Sequence, residues 1–162
     1  MNQVIKVGIA DLNVAKNGDS LITYALGSCV GICLYDNVAK VAGLSHIMLP
    51  SSSGFSPVGK TEDKFADTAI IRLVRLMEQS GARPARLKAK IAGGAQMFAC
   101  VNNSSLSNIG QRNVLAVKAE LQKLHIPIIA EDTGKDYGRT QTLFSEDGSM
   151  LIKSVNKGEW RY

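Results

Sequence analysis

The chain has 162 residues, 45% of them apolar and 20% charged, and a net charge of +5. A chain of this length buries roughly 70% of the surface its unfolded form exposes, so one domain spanning residues 1–162 folds without disulfide or metal staples. No apolar run approaches the ~20 residues of a membrane helix, and MNQVIKVGIADLNVAK lacks the basic-then-apolar layout of a secretory leader, which predicts a cytoplasmic protein with no membrane insertion.

In chain order, segments near residues 3–9, 20–25, 30–35 and 38–44 are apolar or alternating and bounded by turn residues, as strands are. Asp36-Asn37 reads as a hairpin turn. The stretch from Ser51 to Gly59, rich in Ser and Gly, reads as a loop. A helix follows over 62–79, with Phe65, Ala69, Ile70, Leu73, Val74 and Met77 on one stripe, Thr61 as its cap and Gly81 as its stop. A strand at 87–92 leads into Gly93-Gly94. The second helix, 109–124, has Val114, Val117, Leu121 and Leu124 on its apolar side, with Asn108 as cap and Pro127 beyond its end. Strands near 127–131, 140–145 and 150–155 close the chain, with Asp147-Gly148 as a turn. Strand runs before, between and after two helices predict a layered α+β domain with the helices on one sheet face.

Lysines and arginines are scattered. The densest patch, Arg83 to Lys90, alternates with apolar residues as a solvated strand face does, and without aromatic interleaving or a nucleic-acid motif no nucleic-acid partner is expected. The cysteines are Cys29, Cys33 and Cys100. An odd number without a leader argues against a disulfide framework, and no second Cys or His pair has zinc-site spacing, so no metal and no cofactor are expected.

Chemistry concentrates around Leu26-Gly27-Ser28-Cys29-Val30. Small residues at a strand junction let the backbone turn tightly. They would present Cys29 at a corner, with the backbone N–H groups of Gly27 and Ser28 free to hold an oxyanion. A buried structural cysteine beside a tight turn fits the same local pattern. Of the two histidines, His125 lies at a helix end, where an imidazole suits the negative pole. His46 sits at the end of an apolar strand bordering a loop, a place for a core histidine or for a catalytic base. Together, Cys29 and His46 supply the thiol and the imidazole of a cysteine hydrolase, one hairpin apart. Thr23, on the strand entering Cys29, and Asp36, at the hairpin tip, are the candidates to orient the imidazole, and Thr23 is the nearer. A thiol redox protein would need a resolving cysteine, but two strand residues four apart are ~13 Å apart, which makes Cys33 a poor one.

The segments Thr23-Tyr-Ala-Leu-Gly-Ser-Cys29-Val and Gly43-Leu-Ser-His46-Ile-Met-Leu-Pro50 resemble the chemoreceptor glutamine deamidase family CheD. Further agreement follows in order at Lys64 to Ile70, Lys90 to Met97, Asn108 to Asn113, and Glu131 to Gly134 with Gly138-Arg139, so the resemblance spans nearly the whole chain. Lys135 departs from the family, which often has a second glycine there. The resemblance implies an α/β/β sandwich, similar to the catalytic fold of cytotoxic necrotising factor toxins. It implies deamidation of glutamines on methyl-accepting chemotaxis receptors, with the family's catalytic Cys, His and Thr falling on Cys29, His46 and Thr23. It also implies a partner, the CheC phosphatase. The competing roles are hydrolysis of glutamyl methyl esters at the same site, or a regulatory binding module acting mainly through CheC.

Overall fold

A computed structural model describes residues 2–55, 59–97 and 108–162. Ser56 to Val58 of the loop expected after His46, and Cys100, lie outside the described residues.

The elements in order are β1 (Val4–Lys6), β2 (Asp11–Ala15), β3 (Ser20–Leu26), β4 (Val30–Asp36), β5 (Val41–Ile47), a 3₁₀ segment (Gly59–Lys64), α1 (Ala66–Gln79), a short 3₁₀ turn (Pro84–Arg86), β6 (Lys88–Gly93), α2 (Ile109–Lys123), β7 (Ile128–Thr133), β8 (Arg139–Phe144), β9 (Met150–Ser154) and β10 (Gly158–Arg161). They form two five-stranded sheets, ordered β1-β3-β8-β9-β10 and β2-β5-β4-β6-β7. Most neighbours are antiparallel; β1 with β3 and β6 with β7 are parallel.

The helices cover the outer face of the second sheet. Val30, Ile32 and Leu34 of β4 meet Ala69, Ile70, Leu73 and Met77 of α1 and Val117 and Leu121 of α2 in one core. The other face of that sheet packs on the first sheet through Cys33, Ala42, Leu44 and Ala92 against Leu21, Leu143, Met150 and Ile152. The result is the expected α/β/β layering, in a mixed α+β sandwich. The second sheet is its middle layer, so β5 is buried along its whole length.

The differences from the expected elements have local causes. The strand read at 3–9 is shorter, and β2 follows it unannounced because Asp11 and Asn13, poor strand formers, mask the alternating Leu12 and Val14 that face the helices. The strand read at 38–44 lies at 41–47, because the Asp36 carboxylate accepts the N–H groups of Val38 and Ala39 and holds residues 37–40 in the turn. The helix read from 62 begins at 66. Phe65 is extended and bridges to Leu49, so the N-cap position falls there rather than at Thr61. Strand β10 is exposed throughout and has no inward stripe to betray it. On α2, Leu124 is exposed at the C-cap, whereas Asn113 is fully buried.

Candidate active site

Strand β3 belongs to the first sheet and β4 to the second, so Gly27-Ser28-Cys29 is where the chain crosses between them. The approach to the crossing is bent. The pairing of β3 with β8 shifts register between Thr23 and Leu26, and Ala25 has φ +60°. The Gly27 N–H donates to the Ala25 carbonyl at 3.0 Å. Of the N–H groups proposed from sequence as anion donors, Gly27 is therefore engaged. Among the described residues, those of Ser28 and Cys29 meet no backbone acceptor.

The corner is pinned by the segment that follows β6 and by α2. Ala95 N–H donates to the Gly27 carbonyl and Gly94 N–H to the Cys29 carbonyl, both at 2.8 Å. This approach requires glycine at 93, where φ is +105° and a Cβ would collide with the Cys29 oxygen. The Asn113 amide, reaching in from α2, donates to the Ser28 and Met48 carbonyls at 2.9 Å each.

His46 is the penultimate residue of β5, paired with Gly31 of β4 on one side and Asp11 of β2 on the other. Directly paired residues share a face of an antiparallel ladder, and residues two apart on one strand do as well. Cys29 immediately precedes β4, two residues before Gly31; if it continued the strand it would be a diagonal neighbour of His46, roughly 7–8 Å between Cα atoms. Gly31 makes room for the buried Gln141 side chain, whose Oε1 a Cβ there would strike.

The third group comes from the first sheet. Thr23 Oγ1 lies 2.6 Å from His46 Nδ1 and 2.7 Å from the Val7 carbonyl oxygen. A carbonyl only accepts, so the one hydroxyl proton goes to Val7. The oxygen must then accept from Nδ1–H, which leaves Nε2 as the basic nitrogen. Nε2 is buried and, among the described residues, has no hydrogen-bond partner. Burial pushes the His46 pKa down to about 4 and raises that of the Cys29 thiol. The resting pair is therefore neutral: a thiol beside an unprotonated imidazole.

The other candidates lie elsewhere. Asp36 ends the far side of β4, about 20 Å from the corner at 3.3 Å per residue, and binds the Arg86 guanidinium and the Arg83 N–H. Its carboxylate is held far below the usual range, chiefly by that guanidinium and three backbone N–H groups acting against burial. His125 follows α2 with φ +58°; its N–H donates to Gln122 and that of Ile126 to Leu121, so it occupies a helix stop. Cys33 shares the face of Cys29 but is fully buried against the Gln141 amide, and burial drives its pKa up. Among the described residues no group of three or more His, Cys, Asp or Glu could hold a metal, and no helix is long and apolar enough to cross a membrane.

A sandwich that presents a thiol, an imidazole of defined tautomer and a hydroxyl at a sheet-to-sheet crossing carries the elements of a thiol-dependent acyl-transfer site. The family model described as CheD chemotactic sensory transduction matches residues 48–154. Relatives named probable chemoreceptor glutamine deamidase CheD include one from Caldanaerobacter subterraneus subsp. tengcongensis, 54% identical over 97% of this chain and 96% of its own. Another, from Syntrophomonas wolfei, is 50% identical over 98% of both chains, and one from Clostridium botulinum is 54% identical over 95% and 94%. The chain belongs to the CheD family.

Sequence reasoning named Cys29, His46 and Thr23; the structure joins Thr23 to His46 and sets Cys29 two residues before Gly31, the strand partner of His46. It passed over Asn113 because a polar residue on a helix ordinarily faces water; the signal was its place between the buried positions 110 and 114.

Proposed function

We propose that this protein is a cytoplasmic chemoreceptor glutamine deamidase that uses Cys29 as nucleophile, His46 as base and Thr23 as the group orienting that base. The observation that carries the reading is the buried His46 Nε2, without a hydrogen-bond partner among the described residues and with its tautomer set by Thr23, near the Cys29 corner. His46 Nε2 takes the Cys29 proton as the sulfur attacks the glutamine carboxamide carbon. The N–H groups of Ser28 and Cys29 stabilise the oxyanion. The tetrahedral adduct collapses to a thioester as His46 returns the proton to departing ammonia. Water, deprotonated by His46, then cleaves the thioester to glutamate, and the proton returns to the sulfur.

Burial disfavours both the thiolate and the imidazolium, so proton transfer and attack proceed together rather than from a standing ion pair. Thiol acidity supplies little in any case. Lowering a thiol from ~8.5 to about 7 raises the thiolate fraction roughly 16-fold but reduces nucleophilicity roughly 5-fold. One well-placed oxyanion donor is worth ~10²–10³. Alignment of the backbone at the corner is therefore the larger lever.

The substrate is the cytoplasmic domain of chemotaxis receptors. CheC, as a second ligand, competes for the same mouth, because a glutamine side chain reaches the corner only if its helix lies over it and a standard interface covers ~800 Å² of each partner. The test is mass spectrometry of a receptor cytoplasmic fragment after incubation with the protein. Amide-to-acid conversion at specific glutamines, lost in Cys29→Ala, supports the reading; an unmodified fragment refutes it. Deamidation measured against rising CheC decides the partner: competitive inhibition supports a shared mouth, and an unchanged rate at saturation rules it out.

A further inference from the structure

All three carbonyls of the corner are held. Gly27 is held by Ala95 N–H, Cys29 by Gly94 N–H, and Ser28, between them, by a side chain, Asn113 Nδ2 at 2.9 Å. The orientation of the Asn113 amide follows from its partners. Both are carbonyl oxygens, so only the NH₂ end satisfies them. Its second proton goes to Met48 at 2.9 Å, two residues beyond His46.

In a trans peptide the C=O and the following N–H point in opposite directions. Pinning the Ser28 carbonyl toward α2 therefore aims the Cys29 N–H away from α2, where among the described residues it meets no backbone acceptor. The helix carrying Asn113 is held close to the corner. Gly110, one turn earlier, lies against the Gly94 and Ala95 carbonyls, where a Cβ would not fit.

We infer that Asn113 is a positioning residue that fixes the Ser28–Cys29 peptide, so that the Cys29 N–H serves as an oxyanion donor, and ties that peptide to the end of the strand bearing His46. The inference rests on the reading of Cys29 as an acyl-transfer nucleophile. It goes beyond that reading by assigning the oxyanion geometry to a side chain on a different element.

The test compares two reagents at Cys29. p-Nitrophenyl acetate acylates the thiol through a tetrahedral oxyanion. Iodoacetamide alkylates it by displacing iodide and forms none. Asn113→Ala should slow acylation, and kcat for deamidation of a receptor fragment, by about 10–100-fold, since a donor is misaimed rather than removed. KM should stay within about twofold, as expected when an interaction made only in the transition state is lost. Alkylation should stay within about threefold, because the thiol and its base remain in place. Val117→Ala, a fully buried site on the same helix that does not reach the corner, controls for destabilisation and should leave both reactions near wild type. Unchanged acylation in Asn113→Ala overturns the inference. So does alkylation that falls in step with acylation, or a loss in Val117→Ala equal to that in Asn113→Ala. If Asn113→Ala does not fold, Asn113→Ser, which keeps one donor, is read by the same criteria. The reagent pair needs no receptor, so a wild-type protein inert toward the receptor refutes the deamidase reading while the fate of Asn113 is still decided.

Discussion

Thr23→Val removes one hydroxyl while keeping the volume and strand preference of the residue. Two buried groups lose their partner: the Val7 carbonyl and the His46 Nδ1–H. An unpartnered buried polar group costs about 1–3 kcal/mol. Moving the ring proton to Nε2 gives no relief, since that nitrogen is also buried without a partner among the described residues. The loss is then about 2–6 kcal/mol, a fall in Tm of about 5–20 °C for a chain of this size. With neither nitrogen held, the ring also populates the tautomer protonated on Nε2, which cannot take the Cys29 proton. A carboxylate in the orienting position of a serine-protease triad is worth about 10⁴ in kcat. Hydrogen bonds to charged groups are roughly twice as strong as neutral ones, so a hydroxyl in that place should be worth about 10². The assay is ammonia release from a receptor fragment well below the melting temperature, with nitrogen NMR of the His46 ring to read the tautomer. Thr23→Ser, which keeps the hydroxyl, is the comparison and should stay within about tenfold of wild type. A Thr23→Val protein that keeps kcat within threefold, or a wild-type ring protonated on Nε2, refutes the reasoning.

Further outcomes are expected from the same geometry. With the His46 pKa lowered to about 4, the acid limb of kcat/KM should fall well below the ordinary imidazole value of 6.5, and a limb at or above 6.5 would show that burial does not control the ring. The matching stability term has a definite sign. The unfolded chain binds the proton below 6.5 and the folded chain only below about 4, so stability rises with pH across that window, by up to about 3 kcal/mol, and urea titrations of wild type and His46→Gln should differ in that slope. His46→Ala should abolish turnover whereas His125→Ala, at a helix stop, should be mild; equal losses would mean the two histidines are misassigned. Brief iodoacetamide labelling with peptide mapping should modify Cys29 before Cys33, which is buried under the Gln141 amide. Asp36→Ala should destabilise by about 3–5 kcal/mol by removing the buried partner of Arg86, yet leave kcat near wild type, and a selective kcat loss would place Asp36 in the chemistry instead.

The parts legible from sequence were those with local signals. The apolar stripe of α1 and the small residues before Cys29 are patterns of neighbouring positions, and they located the helix and the corner. The choice of Thr23 over Asp36 came from the direction of the strands, and the structure adds its reason: Asp36 is occupied by the Arg86 guanidinium and three backbone N–H groups at the far end of β4. What stayed hidden depends on contacts between distant segments. The tautomer of His46 needs the Val7 carbonyl, which no periodicity exposes. The role of Asn113 needs α2 to pass over the corner, and polar residues on helices carry no mark of burial. Strand β10 lacked an inward apolar row, β2 hid Leu12 and Val14 between poor strand formers, and β5 was displaced because a carboxylate, rather than a glycine, set the turn before it.

The crossing of the chain from one sheet to the other at Gly27-Ser28-Cys29 bears on when the site comes into being. Thr23, Cys29 and His46 leave the ribosome early, within the first third of the chain, but β3 is completed by pairing with β8, Arg139–Phe144, near the end of synthesis. Such long-range pairing forms late, because the intervening loop must be closed before its contacts reward it. A nascent or half-refolded chain thus carries the thiol and the imidazole without the partner sheet that sets the imidazole's proton. Recovery of activity during refolding should accordingly lag the burial of α1 against β4 and β5 and keep pace with protection of the β3–β8 amides from exchange. The reactive thiol is armed last, once the whole sandwich has closed.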